Sequence, residues 1–100
     1  MVNIQITALH LELTPTLRED VNKKFSKLER HFKNITNIHV YLSVEKVDRK
    51  MQHKAKAHVA LPGGTATAEA ISENMYASID LLIDKLDEEI LKHKQKLKDE

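Results

Sequence analysis

Lysine and arginine side chains are the residues of this sequence whose spacing best suits a chemical task, the binding of phosphate groups. Side chains three, four or seven positions apart share one face of a helix, and two segments are rich in basic residues at such spacings. The candidates at these spacings are Lys23, Lys24, Lys27, Arg30, Lys85, Lys92 and Lys96. An ammonium or guanidinium group that binds phosphate releases counterions but does not read the base sequence. The pattern therefore predicts recognition of the shape and backbone of RNA.

Charge is sorted along the chain far more sharply than the net charge of +1 suggests. Residues 17–33 carry six basic and three acidic side chains, net +3, and residues 46–58 carry five and one, net +4. Residues 69–91 carry seven acids and one lysine, net −6. Residues 92–100 carry four lysines and two acids, net +2. The near-zero net charge thus hides three basic zones, each of which, taken singly, is more typical of a solvated face than of a binding site.

A solvated helix face is an equally good interpretation of the last helix from the pattern alone. Glu88 and Glu89 lie three or four positions from Lys85 and Lys92, a spacing at which opposite charges pair. Acids near the start and lysines near the end also suit the helix dipole. That effect is worth only about 0.3–1 kcal/mol per charge and fades beyond one turn, so it does not require four lysines.

No group of residues in the sequence predicts catalysis, a metal site or a cofactor. The chain has no cysteine and no HExxH, GxSxG, P-loop or GxGxxG motif. The histidines are His10, His31, His39, His53, His58 and His93. His53 and His58 are an odd number of positions apart on a predicted strand, so they point to opposite faces and cannot share a metal. We expect no enzyme, no cofactor and no small-molecule substrate.

The compartment is also predicted from composition. A chain without cysteine fits a reducing compartment. The N-terminal "MVNIQITALHLEL" lacks a basic stretch followed by an apolar segment, and no apolar run approaches the ~20 residues that span a bilayer. We expect a soluble cytosolic protein without membrane contact.

Two periodicities predict the elements that position the basic residues. Apolar and polar residues alternate in four predicted strands, residues 2–8, 38–44, 53–61 and 65–71. Between them "EKVDRKMQ" is interpreted as an irregular connection and "PGG" as a hairpin turn. Thr14 and Pro15 start one helix, and Ser72 caps the other, with Glu73 just inside it.

The core stripes of the two helices follow from their spacing. They are Leu17, Val21, Phe25, Leu28 and Phe32 in the first, and Tyr76, Ile79, Ile83, Leu86, Ile90 and Leu97 in the second, flanked by Met75, Leu82 and His93. The predicted fold class is α+β, with the order β-α-β-β-β-α and a four-stranded sheet carrying both helices on one face. We expect one domain, residues 1–100, whose residues 92–100 are a lysine-rich helix end. The two helices, side by side, would merge their lysines into one basic surface.

Several segments closely resemble a known bacterial family. "HLELTPTLRE", "KFSKLERHF", "VYLSVEKV" and "ENMYASIDLLIDKLDEEILKHKQKLK" are similar to the short ribosome hibernation promoting factors and the related ribosome-associated inhibitor called protein Y. The resemblance runs from about residue 2 to residue 98. It implies the same β-α-β-β-β-α fold, similar to a double-stranded-RNA-binding domain with an added first strand.

The resemblance also implies a function. Such proteins occupy the mRNA and tRNA channel of the small ribosomal subunit in stationary phase or stress, bound mainly to 16S rRNA through basic residues of both helices. They block initiation, and the short type favours ribosome dimers together with a partner modulation factor. The chain stops just after "KQKLKDE", which resembles the short type.

The family's basic positions are matched one by one. Lys24 and Lys27 match the family's "KFxKLE", Lys85 matches "DKL", and Lys92, Lys94 and Lys96 match the "KHKxKLK" tail. Arg30 stands at a position that is usually polar or basic. Glu88-Glu89 is a departure, because the family usually has Arg-Gln there, and it places an acid where a phosphate-binding arginine is expected.

Two other classes of function remain open from the sequence. One is a generic structured-RNA module, although double-stranded-RNA-binding domains place lysines at the start of their last helix, where this chain is acidic. The other is a protein-binding adaptor that uses the acidic face. Salt-dependent binding would favour either RNA interpretation, and salt-insensitive binding would favour the adaptor.

Overall fold

The computed structural model describes residues 3–98, with side chains as far as His93. The elements are β1 (Asn3–Leu9), α1 (Pro15–His31), β2 (Asn37–Val47), β3 (Lys50–Leu61), β4 (Gly64–Ser72) and α2 (Met75–Lys98). The predicted α+β class and element order are therefore confirmed.

One mixed sheet has the strand order β1-β2-β3-β4. β1 runs parallel to β2 because α1 provides the crossover connection between them, whereas the two hairpins make β2, β3 and β4 antiparallel. Side chains of alternate positions on each strand join both helices in one core. From the central strands these are Ile38, Val40, Leu42, Ala55, Ala57 and Val59. The opposite side of the sheet, the open face, is not covered by either helix, and its residues on β2 and β3 are at most half-buried.

Local sequence signals place α1 as predicted. The hydroxyl of Thr14 accepts a hydrogen bond from the Leu17 backbone N–H at 3.2 Å, and Pro15 takes the first helical position, where a missing N–H costs nothing. The whole predicted stripe is buried. Phe32 ends the helix as its C-cap, with its N–H bonded to the Leu28 carbonyl.

The connection between β2 and β3 differs from the sequence prediction, which was wrong here. Residues 45–52 are not irregular, because both strands continue to a two-residue turn, with Val47 paired to Lys50. The turn residues Asp48 and Arg49 have φ of 50° and 67°. A two-residue turn with two positive φ values normally uses Asn and Gly, so an Asp-Arg pair carries little signal of it.

The second hairpin turn agrees with its prediction. Leu61 pairs with Gly64, so Pro62 and Gly63 form the turn. Proline restricts φ at the first turn position, and Gly63 at the second has φ 85°, which a residue with a Cβ adopts only at a cost.

The start of α2 also differs from the prediction. The N-cap is Asn74 and not Ser72, because the Asn74 side-chain oxygen accepts from the Tyr76 N–H at 2.8 Å and its carbonyl accepts from the Ser78 N–H. Ser72 is the last residue of β4. Its hydroxyl instead accepts from the Asn74 N–H.

The core stripe of α2 is rotated from the predicted one. Met75 and Leu82 are buried with Ile79, Leu86 and Ile90. Tyr76, predicted as core, is 39% exposed, and Ile83 is only partly buried. Tertiary packing causes this rotation. One flank of the predicted stripe packs on β3 and β4, and the other flank faces α1. The predicted core residue Leu97 lies outside the described side chains.

Candidate nucleic-acid interface

The outer side of α1 carries three of the predicted phosphate-binding residues. Lys23, Lys27 and Arg30 are all exposed, and within the described part of the chain none of them makes an ion pair. They are held in place by the burial of Val21, Phe25 and Leu28 on the opposite side of the helix. α1 therefore presents three cations to solvent on a rigid element. We call these residues the α1 row.

Lys24 lies apart from the α1 row, at the junction of the two helices. Its ammonium forms ion pairs with Asp20, at 3.2 Å, and with Asp80 of α2. Burial alone would lower the pKa of Lys24, but the hydrogen bonds to Asp80 and Asp20 and the charges of both carboxylates raise it. Lys24 is thus paired with carboxylates of both helices and links α1 to α2.

The α2 lysines lie on the other side of that helix, near the edge strand β4. Lys85 Nζ donates to the backbone carbonyl of Glu69 in β4 at 2.9 Å. Lys92 Nζ is 3.5 Å from a carboxylate oxygen of Glu89, and the Lys92 side chain is 71% exposed. We call Lys85 and Lys92 the α2 row. The side chains of Lys94 and Lys96 lie outside the described residues.

The two rows do not merge into one basic surface as expected. Between the helices is an open groove of about 390 Å³, and three acids of α2 line it beside cations of α1. The acids are Asp80, Asp84 and Asp87. Asp87 lies 3.7 Å from the His31 ring, and Asp80 pairs with Lys24. The groove, which we call the interhelical groove, thus separates the α1 row from the α2 row.

The structure shows the contacts of Glu88 and Glu89, the two acids that stand where the family usually has Arg-Gln. Glu89 pairs with Lys92 at the (i, i+3) spacing, as the solvated-face interpretation predicted. Glu88 is exposed. One lysine of the α2 row is therefore partly neutralised by its own helix, although exposed pairs of this kind contribute only about 0–1 kcal/mol.

The open face carries Tyr41, Lys54 and Lys56, and the sequence analysis gave no binding role to the histidines beside them. His39 and His58 lie on the same open face, and their rings contact the Tyr41 ring. The alternation of residues along each strand could have placed these histidines on the same face as Tyr41, because alternate positions of a strand point to one side of the sheet. Alternation alone does not show which residues of neighbouring strands are adjacent. The register shows it, because His39 is paired with His58 and Tyr41 with Lys56.

Among the described residues, no group of three or more His, Asp or Glu side chains could hold a metal ion. Within residues 3–98, no helix is both long enough and apolar enough to cross a membrane.

A mixed sheet with two helices on one face and lysines along both helices defines a small α+β binding domain. The sequence relationships are more specific. Residues 4–98 match the family described as sigma 54 modulation protein / S30EA ribosomal protein, and the chain belongs to this family.

Curated relatives and a solved structure agree with that assignment. A Pseudomonas putida protein named ribosome hibernation promoting factor is 43% identical over 95 residues, 95% of this chain and 89% of the relative. The Escherichia coli (strain K12) protein of the same name is 44% identical over 97% of this chain and 98% of the relative. A ribosomal subunit interface protein from Coxiella burnetii has a TM-score of 0.84 at 35% identity, covering 95% and 99% of the two chains.

The family assignment confirms two sequence-based predictions. The resemblance to ribosome hibernation factors is correct. The family is non-enzymatic, so the expectation that the chain is not an enzyme is confirmed as well.

Proposed function

We propose that this protein is a ribosome hibernation factor that binds the small ribosomal subunit in the mRNA and tRNA channel. Occupying that channel blocks initiation while the cell is in stationary phase or under stress. The protein acts in the cytoplasm as a single domain, residues 1–100, and it promotes ribosome dimers together with a partner modulation factor. Its relatives' names and near-complete alignment support the role.

The observation that carries the proposal is the α1 row. Three exposed cations on one rigid helix can each neutralise a phosphate of 16S rRNA, and they have no acidic partner among the described residues. Helical spacing places their charges within reach of successive phosphates. Contacts of this kind position a protein on folded RNA without reading its sequence.

The remaining basic residues have different parts in the proposal. Lys85, Lys92, Lys94 and Lys96 form a second contact with rRNA along α2. Because Lys85 is hydrogen-bonded to β4 and Lys92 forms an ion pair with Glu89, this second contact is weaker than the one at α1. Lys24 acts indirectly, by holding α1 at a fixed angle to α2 through Asp80.

Co-sedimentation with separated ribosomal subunits tests the proposal. The protein should pellet with the small subunit and be displaced by mRNA with initiator tRNA, because the three compete for one channel. If about four phosphates are contacted, log K should fall with log salt at a slope of roughly −3 to −4. A generic structured-RNA module would pellet with both subunits and would not be displaced.

Charge-reversal variants test the assigned surface. Lys23→Glu with Arg30→Glu should weaken pelleting most, and Lys85→Glu with Lys92→Glu should weaken it less, without loss of folding. The matched control is Lys46→Glu with Arg49→Glu, the same charge change on exposed residues of the β2–β3 hairpin and its turn. Equal weakening by all three pairs would show a response to net charge only and would remove the site assignment.

A further inference from the structure

The open face of the sheet has a composition that differs from both helical surfaces. Its two central strands contribute alternate residues, which include three rings and three lysines. The rings are His39, Tyr41 and His58, and the lysines are Lys50, Lys54 and Lys56. The acids on the same side of β2 and β4 are Glu45 and Glu69. The open face therefore combines aromatic surface with a small excess of positive charge.

The three rings form one ordered cluster. His39 and Tyr41 are stacked, with ring centroids 4.1 Å apart and planes inclined by 9°. His58 meets Tyr41 edge-on, with centroids 5.6 Å apart and an interplanar angle of 81°. All three side chains are half-buried, so part of each ring remains accessible.

Polar neighbours hold these rings in place. His39 Nε2 shares a hydrogen bond of 2.9 Å with the Thr7 hydroxyl, and its Nδ1 lies 3.3 Å from the Tyr41 hydroxyl. His58 Nδ1 shares a hydrogen bond of 2.9 Å with the Thr67 hydroxyl. The cluster thus spans all four strands and is anchored at both edges. A rigid ring loses little conformational entropy when a ligand stacks on it.

A lysine-lined depression lies directly beside the ring cluster. It measures about 220 Å³ and is lined by Tyr41, Ser43, Lys54, Lys56 and His58. Lys54 lies 3.5 Å from Glu69. Within the described residues Lys56 makes no ion pair, so its charge is the one available to an incoming anion.

We propose that this open face is a second RNA surface, which binds an unpaired segment of RNA. One base stacks on the His39–Tyr41–His58 cluster, and the phosphate of that nucleotide is bound by Lys56. This deepens the proposed function, since it adds a single-stranded contact to the helical contact with folded rRNA. It does not depend on the α1 row, which lies on the other side of the sheet.

Charge complementarity and ring chemistry favour single-stranded RNA over a protein partner. Stacking needs an exposed base face, which paired RNA does not offer, and a cation beside an aromatic platform is the usual arrangement for unpaired nucleotides. A protein interface would instead be centred on apolar side chains. The large exposed apolar residues of this face, Leu9, Val47 and Ile71, lie on the outer strands or near the hairpin tip and not among the rings.

Tyrosine fluorescence can report this contact at a single position. The chain has two tyrosines and no tryptophan, so Tyr76→Phe leaves Tyr41 as the only emitter. Titration of that full-length variant with an unstructured eight-nucleotide oligouridylate should quench Tyr41. A double-stranded RNA of the same length should not quench it. The salt dependence should be shallow, with a slope of about −0.7 for one phosphate contact on a single strand.

Binding of the labelled oligouridylate to variants then locates the site. Tyr41→Leu should weaken binding roughly 10-fold, because a stacked base contributes that much or more, and Lys56→Gln should weaken it about 3-fold. The matched controls are Tyr76→Leu, at the other tyrosine, and Lys46→Gln, at an exposed lysine of β2 that is not on the open face. Neither control should change the affinity by more than about 2-fold.

Absence of Tyr41 quenching, or equal weakening by Lys46→Gln, would overturn the proposal. If Tyr41→Leu and Lys56→Gln abolished pelleting with small subunits while oligouridylate affinity was unchanged, the face would bind a ribosomal protein and the RNA assignment would be wrong. The proposed function fails separately, when the wild-type protein does not pellet with the small subunit although the oligouridylate still quenches Tyr41.

Discussion

Lys24 shows at the scale of one residue how the structure changes the meaning of a basic side chain. The sequence placed it among the phosphate-binding candidates, because it lies on the helix with Lys23 and Lys27. Local signals could not reveal its partner Asp80, which belongs to α2. By contrast, the Thr14 cap and Pro15 were predictable, since their roles are set by residues within one turn.

Replacement of Lys24 by methionine tests its role as a link between helices. Because the folded state raises the pKa of Lys24, its charged form stabilises the fold below the ordinary value of 10.5 and this contribution is lost as pH rises through the folded pKa. Lys24→Met should therefore lower the free energy of unfolding at pH 7 by at most about 1 kcal/mol, since the pair is partly exposed. The difference from wild type should shrink in urea titrations above pH 10.5.

Lys23→Met is the matched control for Lys24. It removes the neighbouring cation, which is exposed on the same helix, and should leave the stability unchanged while weakening RNA binding. Lys24→Met should lower the stability and weaken RNA binding less than Lys23→Met does. If both variants lost ribosome binding equally and kept their stability, Lys24 would be a phosphate contact after all.

At the scale of elements, the two hairpin turns differ in how much their sequences disclose. Pro62-Gly63 was predicted because proline restricts φ and glycine permits the positive φ of 85°. Asp48-Arg49 was missed because neither residue favours the conformation that it adopts. The cross-strand pairing of β2 with β3 selects the turn, and this pairing depends on residues that are distant in sequence. The same reasoning explains why the predicted strands ended several residues short of the turn.

Arg49→Gly should stabilise the β2–β3 hairpin. Arg49 has φ 67°, a left-handed conformation that costs a residue with a Cβ about 1–2 kcal/mol. Glycine removes this cost but gains entropy in the unfolded chain, so the net gain should be about 0.5–1 kcal/mol. The urea midpoint should rise accordingly. Glycine at the neighbouring strand position Lys50, which is paired with Val47, should lower the midpoint, and a rise for both variants would refute the explanation by turn geometry.

At the scale of the whole molecule, the two helices and the open sheet face make three charged surfaces of different kinds. The molecule is thin, with a narrowest extent of 16 Å, so single-stranded RNA on the open face would lie close to folded RNA on the helices. Helical periodicity predicted which residues point away from each core. It could not predict which side of α2 would face α1, because the rotation of α2 about its own axis is set by its packing on β3 and β4. This rotation creates the interhelical groove, which the sequence did not predict.

The interhelical groove predicts how the protein responds to a change of charge between its two basic rows. Asp84 is exposed in that groove, so Asp84→Lys places a cation between the α1 and α2 rows and removes an acid that repels phosphate. Affinity for isolated small subunits should rise at low salt, and the slope of log K against log salt should steepen by about 1.

Glu73→Lys is the matched control for Asp84→Lys, because it makes the same change in net charge at an exposed residue before α2. It should leave the salt slope close to that of the wild type. If the two variants raised affinity and slope equally, the response would come from overall charge and the groove would not separate the two rows. If Asp84→Lys alone has the effect, RNA crosses the groove, and the acids that line it limit how tightly the protein holds the ribosome.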